Sequence, residues 1–113
     1  MKTETIRVSV YRESVKTFEE IPAYRATPNF AVHHHLTSSF KPPQLGFDSI
    51  WSLTHVPTGR ALFECQTRRD AVAAAELLEP LCDWSAIGTK GTRELPEETR
   101  EAIRKVRHDW AYR

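Results

Sequence analysis

The sequence predicts an α+β fold, in which an antiparallel sheet of three to five strands is backed by one helix and followed by a second, C-terminal helix. Residues 50–66 alternate between apolar and polar side chains on either side of a turn sequence, a period of two that is typical of paired strands. Residues 68–82 and 96–110 repeat their apolar side chains at intervals of three and four, the period of an amphipathic helix.

Length and composition are those of an ordinary globular chain. The 113 residues suffice for a single domain over 1–113, with a sheet-and-helix core at 1–85, a linker at 86–95 and the final helix at 96–110. The formal net charge of +1 argues against a strongly basic nucleic-acid binder. The N-terminus lacks an apolar targeting core and no apolar run reaches membrane-spanning length, so we expect a cytoplasmic protein without a membrane partner.

The first half of the chain supplies two further strands, residues 5–11 and 30–37, because both alternate along their length. Between them, residues 12–22 space their apolar side chains three apart and fit a short helical turn or an irregular connection, while 23–27 fit a brief edge strand. Residues 38–48 contain two prolines and a glycine and are predicted to be a loop. This loop is long for a hairpin, and its apolar side chains Phe40, Leu45 and Phe47 indicate that it either packs down onto the protein or forms part of a contact surface.

The central hairpin turns at Val56-Pro57-Thr58-Gly59. Proline presets φ at the second turn position, and Gly59 can take the positive φ that a bulged hairpin loop requires. The helix that follows is expected to press onto one side of the sheet. The other side is then left free for recognition.

The first helix has clear ends. Thr67 is the predicted cap, and Asp70 three residues later completes a weak capping-box pattern. The helix should end or kink near Glu79, because Pro80 lacks an N–H and clashes with the preceding turn. Trp84 is then predicted to fold back onto the core. The apolar stripe of this helix is Ala71, Ala74, Ala75, Leu78, Leu81 and Cys82.

The second helix is equally well marked. Pro96 suits its first position, and Glu97 and Glu98 complement the positive end of the helix dipole. The helix can dock on its own sheet or serve a partner chain, and the pattern leaves both open. Its apolar stripe is Leu95, Thr99, Ala102, Ile103, Val106 and Trp110.

Histidines are the first candidates for chemistry. His33 and His35 point the same way on a strand, and His55 on a nearby strand would complete a three-nitrogen zinc site. No carboxylate or cysteine stands at tight spacing beside them, so histidines without a ligand are the favoured interpretation and no metal or cofactor is expected. The His-x-Thr triplet at 35–37 is half of the motif of two-histidine phosphoesterases, but the second half is spaced as His-x-x-Thr at 55–58.

Neither cysteine is a strong candidate nucleophile. Cys65 and Cys82 both sit at apolar positions and are expected to be reduced core residues rather than a disulfide. A histidine-dependent enzyme is therefore the third interpretation, and we expect a protein that is not an enzyme.

Arginines at the hairpin tip and at the start of the first helix could contact phosphates, but at such positions they are more often solvated. The basic residues of the final helix are interleaved with glutamates, which is typical of a solvated helix face. The candidate partner-binding residues are His33, His35, Phe40, Phe47, Arg60, Arg68 and Arg69.

Two resemblances follow from these motifs. The order of strands and helix over residues 30–80, with a Trp-bearing strand, loosely resembles the ethylene-response-type DNA-binding domains of plants and the arm-binding domains of tyrosine integrases. That resemblance implies a sheet that enters the major groove. The run from Trp51 to Gly59, followed by the spacing Thr67, Ala71, Ala75, Leu78, Asp83 and Trp84, resembles small accessory proteins of bacteriophages and mobile elements. This second resemblance implies a stoichiometric inhibitor of a host system, such as an anti-CRISPR or anti-restriction protein.

We therefore expect a small non-enzymatic binding protein that blocks a host partner protein by occupying its surface. The predicted surface combines the 38–48 loop, the His33 and His35 face, and the hairpin tip. The alternative is a modest nucleic-acid binder that uses Arg60, Arg68, Arg69 and the C-terminal arginines.

Overall fold

The computed structural model describes the backbone of residues 2–12, 15–40, 43–88 and 90–112, and the side chains of these residues other than 11, 12, 15, 35–40 and 43–48. Within them, five strands form one antiparallel sheet in the order β1-β2-β3-β4-β5. This confirms the predicted α+β fold. The strands and helices are β1 Thr3–Arg12, β2 Val15–Thr27, β3 Phe30–Phe40, β4 Pro43–His55, β5 Arg60–Cys65, α1 Arg68–Leu78 and α2 Glu97–Trp110.

The first face of the sheet packs against α1. Side chains on a strand alternate between the two faces, and here the alternation sends the buried apolar residues of β3, β4 and β5 toward the helix. The helix meets them with three alanines and a leucine, so its axis can lie close to the sheet. This main core consists of Phe30, Val32, Leu53, Phe63, Cys65, Ala71, Ala74, Ala75, Leu78 and Trp84.

The ends of α1 are as predicted. Asp70 N–H donates to the Thr67 hydroxyl (3.2 Å), which caps the helix. The α-helix stops at Leu78, and Pro80 lies in the 3₁₀ turn Glu79–Leu81 that follows. Trp84 then folds back as predicted: it is 1% exposed and its indole N–H donates to the Leu78 carbonyl (2.7 Å).

The second face of the sheet is enclosed, and the prediction that this side is free is wrong. The sheet curls until β1 reaches the β4–β5 turn, where Ser9 N–H donates to the Gly59 carbonyl (2.7 Å). The curl is possible because β2 pairs with β3 only from Tyr24 onward and can diverge from it elsewhere. The curled sheet packs a second, smaller core against itself, formed by Ile6, Val8, Ile21, Ala23 and Ala31.

The connection predicted for residues 12–22 is instead part of a strand. All described residues from Val15 to Thr27 belong to β2, which pairs with β1 over the register from Arg12↔Val15 to Thr3↔Tyr24. The brief edge strand predicted at 23–27 is the end of this longer one. The three-residue spacing was misleading because Phe18 does not share a face with Ile21: it points outward and is 42% exposed.

The loop predicted at 38–48 is also wrong where the structure describes it. Residues 38–40 extend β3 and 43–48 extend β4, with pairing that runs through Phe40↔Pro43. Among the described residues no third strand flanks residues 36–40 and 43–47, because β2 and β5 pair nearer the other end. Residues 36–40 and 43–47 together are called the ribbon below. Residues 41 and 42, the predicted Pro42 included, lie outside the description.

Helix α2 docks on its own chain, which decides between the two predicted alternatives. Ile103, Val106 and Trp110 pack half-buried against the main core. Beyond the helix, Tyr112 N–H donates to the Glu64 carbonyl (2.6 Å), so the chain end covers part of the outer edge of β5. Pro96 differs slightly from the prediction, because it is the capping residue rather than the first helical one.

Candidate binding surfaces

Three aromatic rings and one guanidinium meet at the surface beside the start of the ribbon. The ring centroids of His34 and Trp51 are 4.0 Å apart, and those of Tyr24 and Trp51 are 5.9 Å apart. The Arg68 guanidinium carbon lies 4.8 Å from the centroid of Tyr24 and 5.9 Å from that of Trp51. We call Tyr24, His34, Trp51 and Arg68 the aromatic cluster.

Strand register places these side chains together. His34 and Trp51 are direct cross-strand partners, and Tyr24 pairs with the residue two positions before His34. Arg68, the first residue of α1, reaches over the two rings of Tyr24 and Trp51. Tyr24 and Trp51 are half-buried against the main core, whereas His34 and Arg68 are exposed. The cluster therefore joins the apolar core to the solvent-exposed surface, and packing holds its rings in place.

The neighbouring histidine of the predicted surface is not at the surface. His33 is 5% exposed and faces the curled side of the sheet. Its Nδ1 lies 2.9 Å from the His34 carbonyl oxygen and its Nε2 2.7 Å from the Thr54 hydroxyl oxygen. The prediction that His33 lines a contact surface is therefore wrong, since both ring nitrogens are satisfied inside the fold.

The three-histidine metal site does not form. Strand alternation puts His55 on the α1 side, opposite Phe30, while His33 lies on the other side, so the two rings are separated by the sheet. The part of the chain that the structure describes contains no group of three or more His, Cys, Asp or Glu able to hold a metal ion. The side chain of His35, with those of Phe40 and Phe47, lies outside the description.

His55 is held inside the protein in its neutral form. It is 3% exposed, with Nε2 at 2.7 Å from the Trp84 carbonyl oxygen and Nδ1 at 2.8 Å from the Thr58 hydroxyl oxygen. A carbonyl can only accept, so Nε2 carries the proton and Nδ1 accepts from the hydroxyl. The His-x-x-Thr motif at 55–58 is thus an internal contact, with no ring nitrogen directed at a substrate.

This arrangement predicts a loss of stability in acid. Burial lowers the pKa of His55, and the Trp84 carbonyl and the Glu79 carboxylate, which raise it, do not outweigh burial. The unfolded chain takes up this proton near the ordinary pKa of 6.5, whereas the folded chain resists it until lower pH. The contribution of neutral His55 to the free energy of unfolding is therefore fully present above pH 6.5 and is lost as pH falls toward the folded-state pKa.

The measurement is urea unfolding of the wild type and of His55→Gln, a variant that cannot titrate at this position, from about pH 7.5 to about pH 5. The variant is expected to be less stable at the upper end and to lose less stability across the interval. Equal losses in both proteins would contradict the assignment to His55.

The cysteines are free, as predicted, and are poor nucleophiles. Burial, with help from the Asp70 and Glu64 carboxylates, raises the pKa of the Cys65 thiol to about 11. Its S–H donates to the Trp110 carbonyl (3.3 Å). Burial also raises the pKa of Cys82. Since the thiolate is the reactive form, neither side chain is placed for covalent chemistry.

The predicted arginines do not form one surface. Arg68 and Arg69 lie just beyond one end of β5 and Arg60 lies at the other, and all three are exposed. In the final helix, Arg100 and Arg104 pair with Glu97, and Arg104 also pairs with Glu101. The nucleic-acid surface predicted from these residues is therefore divided, and two of its C-terminal arginines, Arg100 and Arg104, are paired with glutamates.

Arg60 instead joins residues that sequence analysis had not selected. A groove of about 260 Å³ runs along the seam between β1 and the β4–β5 turn, and its described lining includes Arg7, Lys16, Phe18 and Arg60. It continues past Arg60 into a depression of about 450 Å³ that reaches Lys90 and Arg93. We call the two together the basic groove. Lys16 and Phe18 could have been found only by recognising β2 as a strand, because its alternation turns both outward.

Comparison of the chain with protein-family models, with curated proteins and with solved structures gives no match. No helix among the described residues is both long and apolar enough to cross a membrane.

Proposed function

We propose that this protein is a non-enzymatic binding protein that occupies the surface of a partner protein through its aromatic cluster. The observation that carries the proposal is the contact of the half-buried Trp51 ring with the exposed His34 ring, with Tyr24 beside Trp51 and Arg68 over both Tyr24 and Trp51. Trp, Tyr and Arg are the residues that most often dominate the energy of protein interfaces. A cluster that combines all three at the rim of the core has the composition of such an anchor.

Preorganisation strengthens the proposal. Cross-strand pairing and packing against the core fix Tyr24 and Trp51 before any partner arrives, so little side-chain entropy is lost on binding. The ribbon begins next to the cluster, and within the described residues its backbone edges carry no third strand. An open strand edge can pair with an extended segment of a partner. The cluster would anchor the partner through its side chains, and the ribbon would extend the interface through backbone pairing.

The specific form of this proposal is inhibition of a host system by steric cover, as in the phage and mobile-element accessory proteins that the chain resembles. The site of action would be the host cytoplasm, and the partner would be a component of a defence system such as CRISPR or restriction. Steric cover needs no catalytic group. It is compatible with the internal hydrogen bonds of His33 and His55 and with the raised pKa of Cys65.

The test begins with affinity capture by three proteins. These are the wild type, the double variant His34→Ala/Arg68→Ala, and Leu77→Ala, which removes an exposed apolar side chain (46% exposed) on the same helix as Arg68. The wild type and Leu77→Ala should retain the same protein after nuclease treatment. The double variant should bind the purified partner at least about 30-fold more weakly in titration calorimetry, the effect of losing a hot spot of ~2 kcal/mol.

A result against the proposal would be equal affinity of all three proteins, or captured material that consists only of nucleic acid. The inhibitory form is tested separately, by plating phage on cells with an active CRISPR or restriction system. Plating efficiency should rise with the wild type and with Leu77→Ala but not with the double variant. No rise with the wild type would refute inhibition of the systems tested while leaving direct binding to be judged by calorimetry.

A further inference from the structure

We propose that the basic groove is a second binding site, which takes a single-stranded nucleic acid. Its phosphates would contact Arg7, Lys16 and Arg60, and a base would stack at Phe18. The inference goes beyond the proposed function because it concerns a different ligand and a surface at the opposite end of β5 from Arg68.

Charge segregation is the first argument. The chain as a whole carries a net charge of only +1, yet the described residues that line the basic groove include five cationic side chains and no Asp or Glu. Glu20 pairs with Arg7 in the strand register but does not line the groove. Arg7, Lys16 and Arg60 are the three of these five cations that line the seam itself. Lys90 and Arg93 lie in the adjoining depression, where Lys90 also pairs with Glu94 (3.2 Å).

The exposed aromatic ring is the second argument. Phe18 is 42% exposed on the outer face of β2, and the Arg7 guanidinium carbon lies 4.0 Å from its ring centroid. The Lys16 ammonium lies 5.5 Å from the same ring. An exposed aromatic ring in a positively charged groove can stack a base while neighbouring cations contact the flanking phosphates, and single-strand binding proteins combine these two features. Bases of a duplex are already stacked on each other and offer no free face to such a ring.

The shape and rigidity of the groove are the third argument. Its floor is the seam where Ser9 N–H donates to the Gly59 carbonyl, and the close approach of backbone at that point fixes β1 against the turn. On the far wall Thr58 is held by its hydrogen bond to His55. The two adjoining depressions, of about 260 and about 450 Å³, form an elongated channel rather than a closed pocket. An elongated basic channel fits a strand better than a single small anion.

The test is fluorescence anisotropy with labelled oligothymidine and oligouridine of about 12 nucleotides, a length within the usual site size of such proteins. The groove variant is Lys16→Glu/Arg60→Glu. The matched control is Lys2→Glu/Arg107→Glu, which makes the same change in charge at two exposed positions outside the groove lining. Circular dichroism and thermal unfolding establish that each variant is folded before it is titrated.

The wild type and the control are expected to bind within about threefold of each other, and the groove variant at least about tenfold more weakly. With three phosphate contacts, the logarithm of the association constant should fall with the logarithm of salt concentration with a slope of about −2. The groove variant should lose most of that slope. No binding by the wild type, or equal binding by the groove variant and the control, would overturn the proposal.

Phe18→Ala separates strand binding from simple attraction of phosphate. It should weaken binding of the oligonucleotides by about tenfold, since one base–aromatic stack is lost. The affinity for inorganic tripolyphosphate, measured as a competitor of the oligonucleotide, should stay unchanged because the phosphate-binding cations remain. A duplex of the same length should bind more weakly than either single strand. Unchanged oligonucleotide binding by Phe18→Ala, or preferential binding of duplex, would overturn the assignment to single strands.

Discussion

Replacing Trp84 by alanine is expected to lower the free energy of unfolding by about 3–5 kcal/mol, the usual cost of truncating a buried large aromatic side chain. Trp84 is 1% exposed and closes the core that the sheet and α1 build. Its ring meets that of Phe30 edge-on, with centroids 4.8 Å apart, and lies 5.7 Å from His55. Alanine would leave a cavity bordered by rigid elements that cannot move in to fill it.

Trp84→Phe separates packing from hydrogen bonding at the same site. It keeps an aromatic ring but removes the donor to the Leu78 carbonyl, which lies at the end of α1. An unsatisfied buried carbonyl costs roughly 1–3 kcal/mol, so this variant should fall between wild type and alanine. Leu77→Ala, at an exposed position, should stay within about 0.5 kcal/mol. Urea unfolding measures the stability of all three variants, and a Trp84→Ala protein within about 1 kcal/mol of wild type would contradict the inference that the indole closes the main core.

The parts of the fold that were predicted from sequence are those that local interactions determine. The β4–β5 turn depends on Pro57 and on positive φ at Gly59, and the start of α1 on Thr67, each within a few residues of its partners. Such signals can be recognised without knowing what lies across the sheet. The return of Trp84 to the core follows similarly from an apolar side chain placed just after a helix end.

The errors lie where distant partners decide the structure. In β2, apolar residues three apart suggested a helical turn, but pairing with β1 imposed a strand along the whole segment. In the ribbon, prolines and a glycine suggested a loop, although Leu45 and Phe47 already alternate as in a strand. The loop was predicted because the length of the connection was given more weight than this brief strand-like alternation.

The candidate surfaces show the same limit. Arg68 was selected from sequence, but the three rings of the aromatic cluster come from three different strands and depend on the register between them. His33 and His34 are adjacent in sequence and face opposite sides of the sheet, so selecting the wrong one of the pair exchanges a buried ring for an exposed one. Nothing local distinguishes the two positions; only knowledge of which face is enclosed does.

Gly59→Ala is the second substitution with a large expected effect, because Gly59 is where the curled sheet closes. The residue has φ of +72°, and a Cβ built there would lie 2.7 Å from the backbone carbonyl oxygen of Arg7. Positive φ alone costs a side chain about 1–2 kcal/mol. The clash is with backbone, so β1 must also move away and give up the hydrogen bond from Ser9 to Gly59, worth about 0.5–1.5 kcal/mol. We expect a total loss of about 1.5–3.5 kcal/mol in urea unfolding.

Gly88→Ala is the matched control, since a Cβ there meets nothing within 4 Å. It should leave the free energy of unfolding within about 0.5 kcal/mol of wild type or raise it slightly, because alanine restricts the unfolded chain. The comparison tests the closure of the sheet and not merely the presence of a glycine. If Gly59→Ala unfolds at the same urea concentration as Gly88→Ala, then β1 does not rest on the β4–β5 turn in solution. In that case the second face of the sheet is open and the floor of the basic groove is absent. The description of the enclosed second face and that of the basic groove would then both be wrong.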